Sequence, residues 1–157
     1  MSSKITAATL TVTVTEDLVL NGVQQGNSMA STVASVNECS RRIVTVLHSA
    51  EATLLTIAAA IDAGTFITST TKYIRITNTD TENHVTLRIT NSNNDECIMK
   101  LDAKQTFIFH GDSANGMTAV FDATDGGTTG STLGTLSSIK AQADTASVDL
   151  EVLVAGT

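Results

Sequence analysis

The 157-residue chain contains no proline and no tryptophan, and aromatic residues make up only 3% of it. The first absence removes a common device for blunting sheet edges, so any edges must be guarded by charge, by short strands or by a partner chain. The scarcity of aromatics weighs against carbohydrate binding, which favours exposed rings that stack on sugars. Basic residues are few: 9 Lys and Arg stand against 16 Asp and Glu, for a formal net charge of −7. That balance argues against nucleic-acid binding, where basic side chains must neutralise phosphates, and disfavours an anionic membrane surface. No run approaches the roughly 18 apolar residues of a membrane helix. Met1-Ser2-Ser3-Lys4 leads straight into alternating sequence, not into the apolar core of a signal peptide. The expectation is a chain made and kept in a cytosol unless a larger assembly carries it out.

Cys39 and Cys97 form no CxxC pair, and for a cytosolic protein they read as two buried, reduced thiols. A hydrophobic fraction of 41% and a charged fraction of 16% are those of a chain that folds. The length suits one domain spanning residues 1–157.

What is abundant is Thr, with Val and Ile, and β-branched side chains favour strands. Thr9 to Thr15 places Leu10, Val12 and Val14 on one face and hydroxyls on the other, the signature of a half-buried strand. Asp17 to Leu20 leads to Asn21-Gly22, a strong tight-turn signal, and the polar stretch Gln24 to Ser31 reads as a loop. Thr32 to Val36 follows as a strand. Arg42 to His48 is apolar on both faces, as a central strand would be. Ala52 to Ile61 is read as strand in preference to a short helix.

Tyr73 to Thr77, His84 to Thr90, Glu96 to Leu101 and Thr106 to His110 are short alternating runs between polar turns, the pattern of an antiparallel meander, sandwich or barrel. Ile74, Ile76, Val85, Leu87, Ile89, Cys97, Met99, Leu101, Phe107 and Phe109 form the expected core. Gly126 to Gly134 reads as a surface loop, and Ser147 to Val154 as a final strand with Val148, Leu150, Val152 and Val154 on one face. With nine or ten strands and no long helix, the fold class is all-β: a jelly roll or related two-sheet antiparallel β-sandwich.

Several motifs invite chemistry. His110-Gly111-Asp112-Ser113 resembles the nucleophile block of Ser-Gly-Asn-His hydrolases, but that chemistry needs a base from a later Asp-x-x-His block. No histidine follows His110, and the plain reading is a turn after a strand. The glycines from Gly126 to Gly134 lack the Gly-Lys-Ser/Thr of a phosphate-binding loop. Asp80 and Glu82, Asp95 and Glu96, and Asp122 and Asp125 could offer oxygens to a hard cation, but turn aspartates more often bond their own backbone. Three scattered histidines and two distant cysteines give no zinc spacing. Arg75 and Arg88 fall on the polar face of adjacent expected strands, where they pair with nearby carboxylates or face an acidic partner. A solvated face is the simpler reading. No catalytic, cofactor-binding or metal-binding residue is assigned.

Lys72 to Asp80, Asn83 to Leu87, Lys100 to Phe109, Ile139 to Ala146 and Val148 to Val154 together resemble small β-sandwich virion proteins of tailed bacteriophages, especially the capsid decoration (cement) and minor structural proteins of marine phages. Val36 to Glu38 and Arg42 to Val46 add weaker support. The resemblance implies a structural role in a virion and no enzyme activity. The expected partners are the major capsid protein of a phage shell and further copies of the chain, with a trimer favoured. The alternatives are a tail structural protein, such as an adaptor, tube-associated or fibre-base module, and a small carbohydrate-binding module.

Overall fold

The computed structural model describes residues 5–123 and 133–157. Among them lie thirteen strands and no helix: β1 Ala8–Thr15, β2 Val19–Leu20, β3 Val23–Gln24, β4 Ser28–Val36, β5 Glu38–Val46, β6 Ala52–Ala58, β7 Thr65–Ile67, β8 Thr71–Asn78, β9 Val85–Asn91, β10 Glu96–Leu101, β11 Thr106–His110, β12 Leu136–Ala143 and β13 Val148–Gly156. Four of them coincide closely with the short alternating runs between Tyr73 and His110.

Two antiparallel sheets form a sandwich. One has the order β11-β8-β13-β5, and the other β10-β9-β12-β6 with β7 added in parallel beside β6. The pairs β5–β13, β6–β12, β8–β11 and β9–β10 nest inside one another along the chain, and β13 and β12 then join β8 and β9. This is the strand order of an eight-stranded jelly roll.

Period-2 alternation sends Ile74 and Ile76 of β8, Val85, Leu87 and Ile89 of β9 and Val148, Leu150, Val152 and Val154 of β13 into one core with Leu54, Leu136, Ile139 and Met117. Each such side chain, fully buried, contributes about 1.5–3 kcal/mol relative to exposure. Cys97, Phe107 and Phe109 pack at the margin of the core, whereas Met99, expected inside, is exposed on the edge strand β10.

Two buried asparagines close strand ends. Asn78 Nδ2 donates to the carbonyls of Asn83 (2.9 Å) and Leu101 (3.2 Å), and its Oδ1 accepts from the Asp80 N–H. Asn91 Nδ2 donates to Asp95 and to the Phe121 carbonyl, while its Oδ1 accepts from the N–H groups of Asn93 and Asp95. Each side chain thereby stands in for backbone partners that its turn lacks. The sheets are also linked by Arg42 of β5, whose guanidinium donates to the Leu54 carbonyl of β6.

Several expectations are corrected. Gln24 to Ser31 is not a loop: Gln24 ends β3 and Ser28 opens β4. The run Arg42 to His48 is not central. It forms the second half of β5, an edge strand that stops at Val46 and leaves Ile43 exposed. Neither thiol is buried: Cys39 is exposed and Cys97 half-buried, both unpaired. Arg75 and Arg88 lie on strands of different sheets.

Candidate interaction surface

Residues 5–36 form an arm outside the two sheets of the sandwich. β1 and β4 pair antiparallel as a two-stranded ribbon, with Val12 opposite Ser31 and Val14 opposite Met29. The ribbon ends in the smaller hairpin β2–β3. Asn21 and Gly22 at its tip both have positive φ, 51° and 78°, the requirement of the type I′ turn that the Asn-Gly pair signals. Gln24 braces the tip: its Nε2 donates to Asp17 and its Oε1 accepts from the Leu18 and Gly26 N–H groups. Beyond the pairing within this arm, neither β1 nor β4 packs extensively on any strand of the sandwich. The arm joins the body through Asn37, whose N–H donates to the Gly156 carbonyl.

The alternation of β1 is as expected, but its apolar face is poorly covered. Leu10 and Val12 are half-buried and Val14 is exposed. At the tip Leu18, Val19, Leu20 and Val23 are each 56–62% exposed. A two-stranded hairpin with nothing packed on it is marginal in water. One arm face, with Val12, Val14 and Met29, borders Ile108 and His110 of the edge strand β11 across an open cleft of about 470 Å³. His110 also meets the buried Tyr73 edge to face, with ring centroids 5.1 Å apart, and desolvation raises the Tyr73 pKa above its ordinary value.

The residues weighed for chemistry are used within the fold. Asp112 forms a turn with Gly116 and accepts from the N–H groups of Ala114 (2.9 Å) and Asn115 (2.7 Å). These bonds, led by Asn115, hold its carboxyl below the usual range. Asp80 likewise accepts from Asn83 and Glu82 and is held low by them. Asp95 is bonded to Asn91, and Glu96 pairs with Arg88 at 2.5 Å. Asp125 and the glycine-rich stretch lie outside the described residues, apart from Leu133 and Gly134, and Gly134 bridges to Phe121. Among the described residues no group of three or more His, Cys, Asp or Glu is placed to hold a metal ion.

The outer sheet faces carry ion pairs. Glu151 accepts from Arg41 at 2.5 Å and from Arg75, and its carboxyl is held low chiefly by the Arg41 bond. Arg88 pairs with Glu51 as well as Glu96. Tyr73 is buried and the four phenylalanines are at least half-buried, which leaves no exposed ring for a sugar to stack on.

What sequence reading missed was the arm as a unit. The signal was present in Asn21-Gly22 and in the near-absence of charge: between residues 5 and 36 only Glu16 and Asp17 are charged. Comparison with protein-family models, with curated proteins and with solved structures finds no match to this chain.

Proposed function

We propose that this chain is a structural protein of a tailed-bacteriophage particle: a capsid decoration or cement protein that binds the outer shell and reinforces capsomer junctions. One observation carries the reading. A jelly-roll body with a well-filled core projects an arm whose apolar side chains its own chain leaves uncovered. Such a surface is completed by other protein subunits. The pattern of strands and turns resembling phage virion sandwiches supports the same reading. Its partners are the major capsid protein and further copies of the chain, with a trimer favoured. It is made in the host cytoplasm and resides on the capsid surface, with no enzymatic role and no nucleic-acid or membrane partner.

The net charge of −7 fits an outward-facing module that keeps particles soluble. The test is to add purified protein to heads lacking it and count bound copies by quantitative mass spectrometry. Saturable binding that raises the temperature at which heads release their DNA is expected. Failure to bind heads, with binding to tails instead, would replace the decoration role by a tail one.

A further inference from the structure

We infer that Asn21 is a site of spontaneous covalent modification: its side-chain amide is lost to attack by the Gly22 backbone nitrogen, and the tip of the arm gains a carboxylate. This goes beyond the virion reading and does not depend on it.

The chemistry needs only the chain and water. The Gly22 amide nitrogen bonds to Asn21 Cγ, the Cγ–Nδ2 bond breaks, and ammonia leaves with the proton that the Gly22 nitrogen gives up. A five-membered succinimide ring remains. Water then adds to one of the two ring carbonyls. Opening at Cγ gives aspartate, and opening at the main-chain carbonyl gives isoaspartate. Glycine suits the second position because it sets no side chain beside the attacking nitrogen.

The sequence holds two such pairs, Asn21-Gly22 and Asn115-Gly116, and the fold treats them oppositely. Closing the ring requires rotation that swings the glycine nitrogen toward Cγ, so the turn must open. Asn21 and Gly22 are both exposed, and a Cβ added at Gly22 would meet no atom within 4 Å. Among the described residues neither the Gly22 N–H nor the Asn21 side chain has a hydrogen-bond partner. Only the pairs Val19–Gln24 and Leu20–Val23 and the Gln24 side-chain bonds hold the tip shut. A hairpin so short opens readily.

At the second pair the Gly116 N–H donates to the Asp112 carbonyl (2.9 Å), and its own carbonyl accepts from the Asp112 N–H (2.7 Å). Gly116 is buried, and the next residue, Met117, is fixed in the core with its N–H on the Thr68 carbonyl. Moving the Gly116 nitrogen would break this pairing and disturb the core. Conversion at Asn21 instead adds a negative charge beside Asp17 and among Leu18, Val19, Leu20 and Val23. As isoaspartate it also threads Cβ into the main chain, which a two-residue turn cannot absorb without losing its pairing.

The test holds purified full-length chain in warm, mildly alkaline buffer made with heavy-oxygen water and follows both sites by peptide mass spectrometry. In the native chain Asn21 is expected to convert at least about tenfold faster than Asn115, with solvent oxygen incorporated and isoaspartate among the products. In urea the two rates should come within about threefold of each other. Gly22→Ala, which sets a methyl group beside the nucleophile, should slow conversion at Asn21 several-fold, with slow conversion at Asn115 as the internal sign of a folded body. Equal rates at the two sites in the native chain would overturn the inference, as would an Asn21 that stays intact while the urea-unfolded chain converts. A rate indifferent to Gly22→Ala with aspartate as the sole product would also overturn it, by showing direct hydrolysis without the ring.

Discussion

Val14 and Met29 stand opposite each other on the paired strands of the arm, and 52% and 71% of their surfaces remain exposed. Removing apolar character there should cost the folded monomer little, since surface substitutions away from packed features usually lie within about 0.5 kcal/mol. Val14→Thr with Met29→Thr is therefore expected to leave thermal unfolding of the purified chain unchanged while reducing self-association. A large fall in stability would mean that the arm is packed within its own subunit.

The buried asparagines make the opposite prediction. Asn78→Leu deprives the carbonyls of Asn83 and Leu101 and the Asp80 N–H of their partner inside the fold. Each orphaned group costs about 1–3 kcal/mol, so urea unfolding should show a loss of several kcal/mol, among the largest from any single polar substitution in the chain. Asn91→Leu is expected to act similarly at the other strand end.

Acid should destabilise the protein in a defined direction. Asp80, Asp112 and Glu151 are all held below their ordinary values, the first two by backbone N–H groups and Glu151 chiefly by Arg41. Groups depressed in the folded state stabilise it above the unfolded carboxylate range, about pH 4, and that contribution is lost as pH falls through their folded values. Unfolding followed between pH 7 and pH 2 should show a steepening loss below pH 4. The triple variant Asp80→Asn, Asp112→Asn, Glu151→Gln should flatten that limb.

The tip turn offers a local test. Gly22→Val puts a β-branched residue at φ 78°, although no atom lies within 4 Å of the added Cβ. The cost is therefore backbone strain, about 1–2 kcal/mol. Amide exchange should accelerate across residues 17–27 and stay unchanged in β8, β9 and β13.

The sandwich was readable because its central strands bury one face and show it as alternation, from Ile74 and Ile76 to Val152 and Val154. β12 was harder: its core positions include Ala141 and Ala143, which bury little surface and give a weak pattern, although the strand is central. The first half of β4, read as part of a loop, is hidden for a related reason. Ser28 to Ser31 are all exposed, and a strand segment with no buried face in its own chain has no alternation to display. β5 shows the converse error, since Ile43 and Leu47 suggest a two-sided core position, but Ile43 is exposed on an edge strand and Leu47 just beyond its end. In both the arm and β5, apolar residues remain exposed within the chain's own fold, so an apolar pattern there does not mark the core.

The most direct measurement is an image reconstruction of the phage particle assembled with and without this chain, at a resolution where a jelly roll can be fitted. The account predicts difference density on the outer surface of the head, at capsomer junctions. Difference density confined to the tail, or absent from the particle altogether, would contradict it.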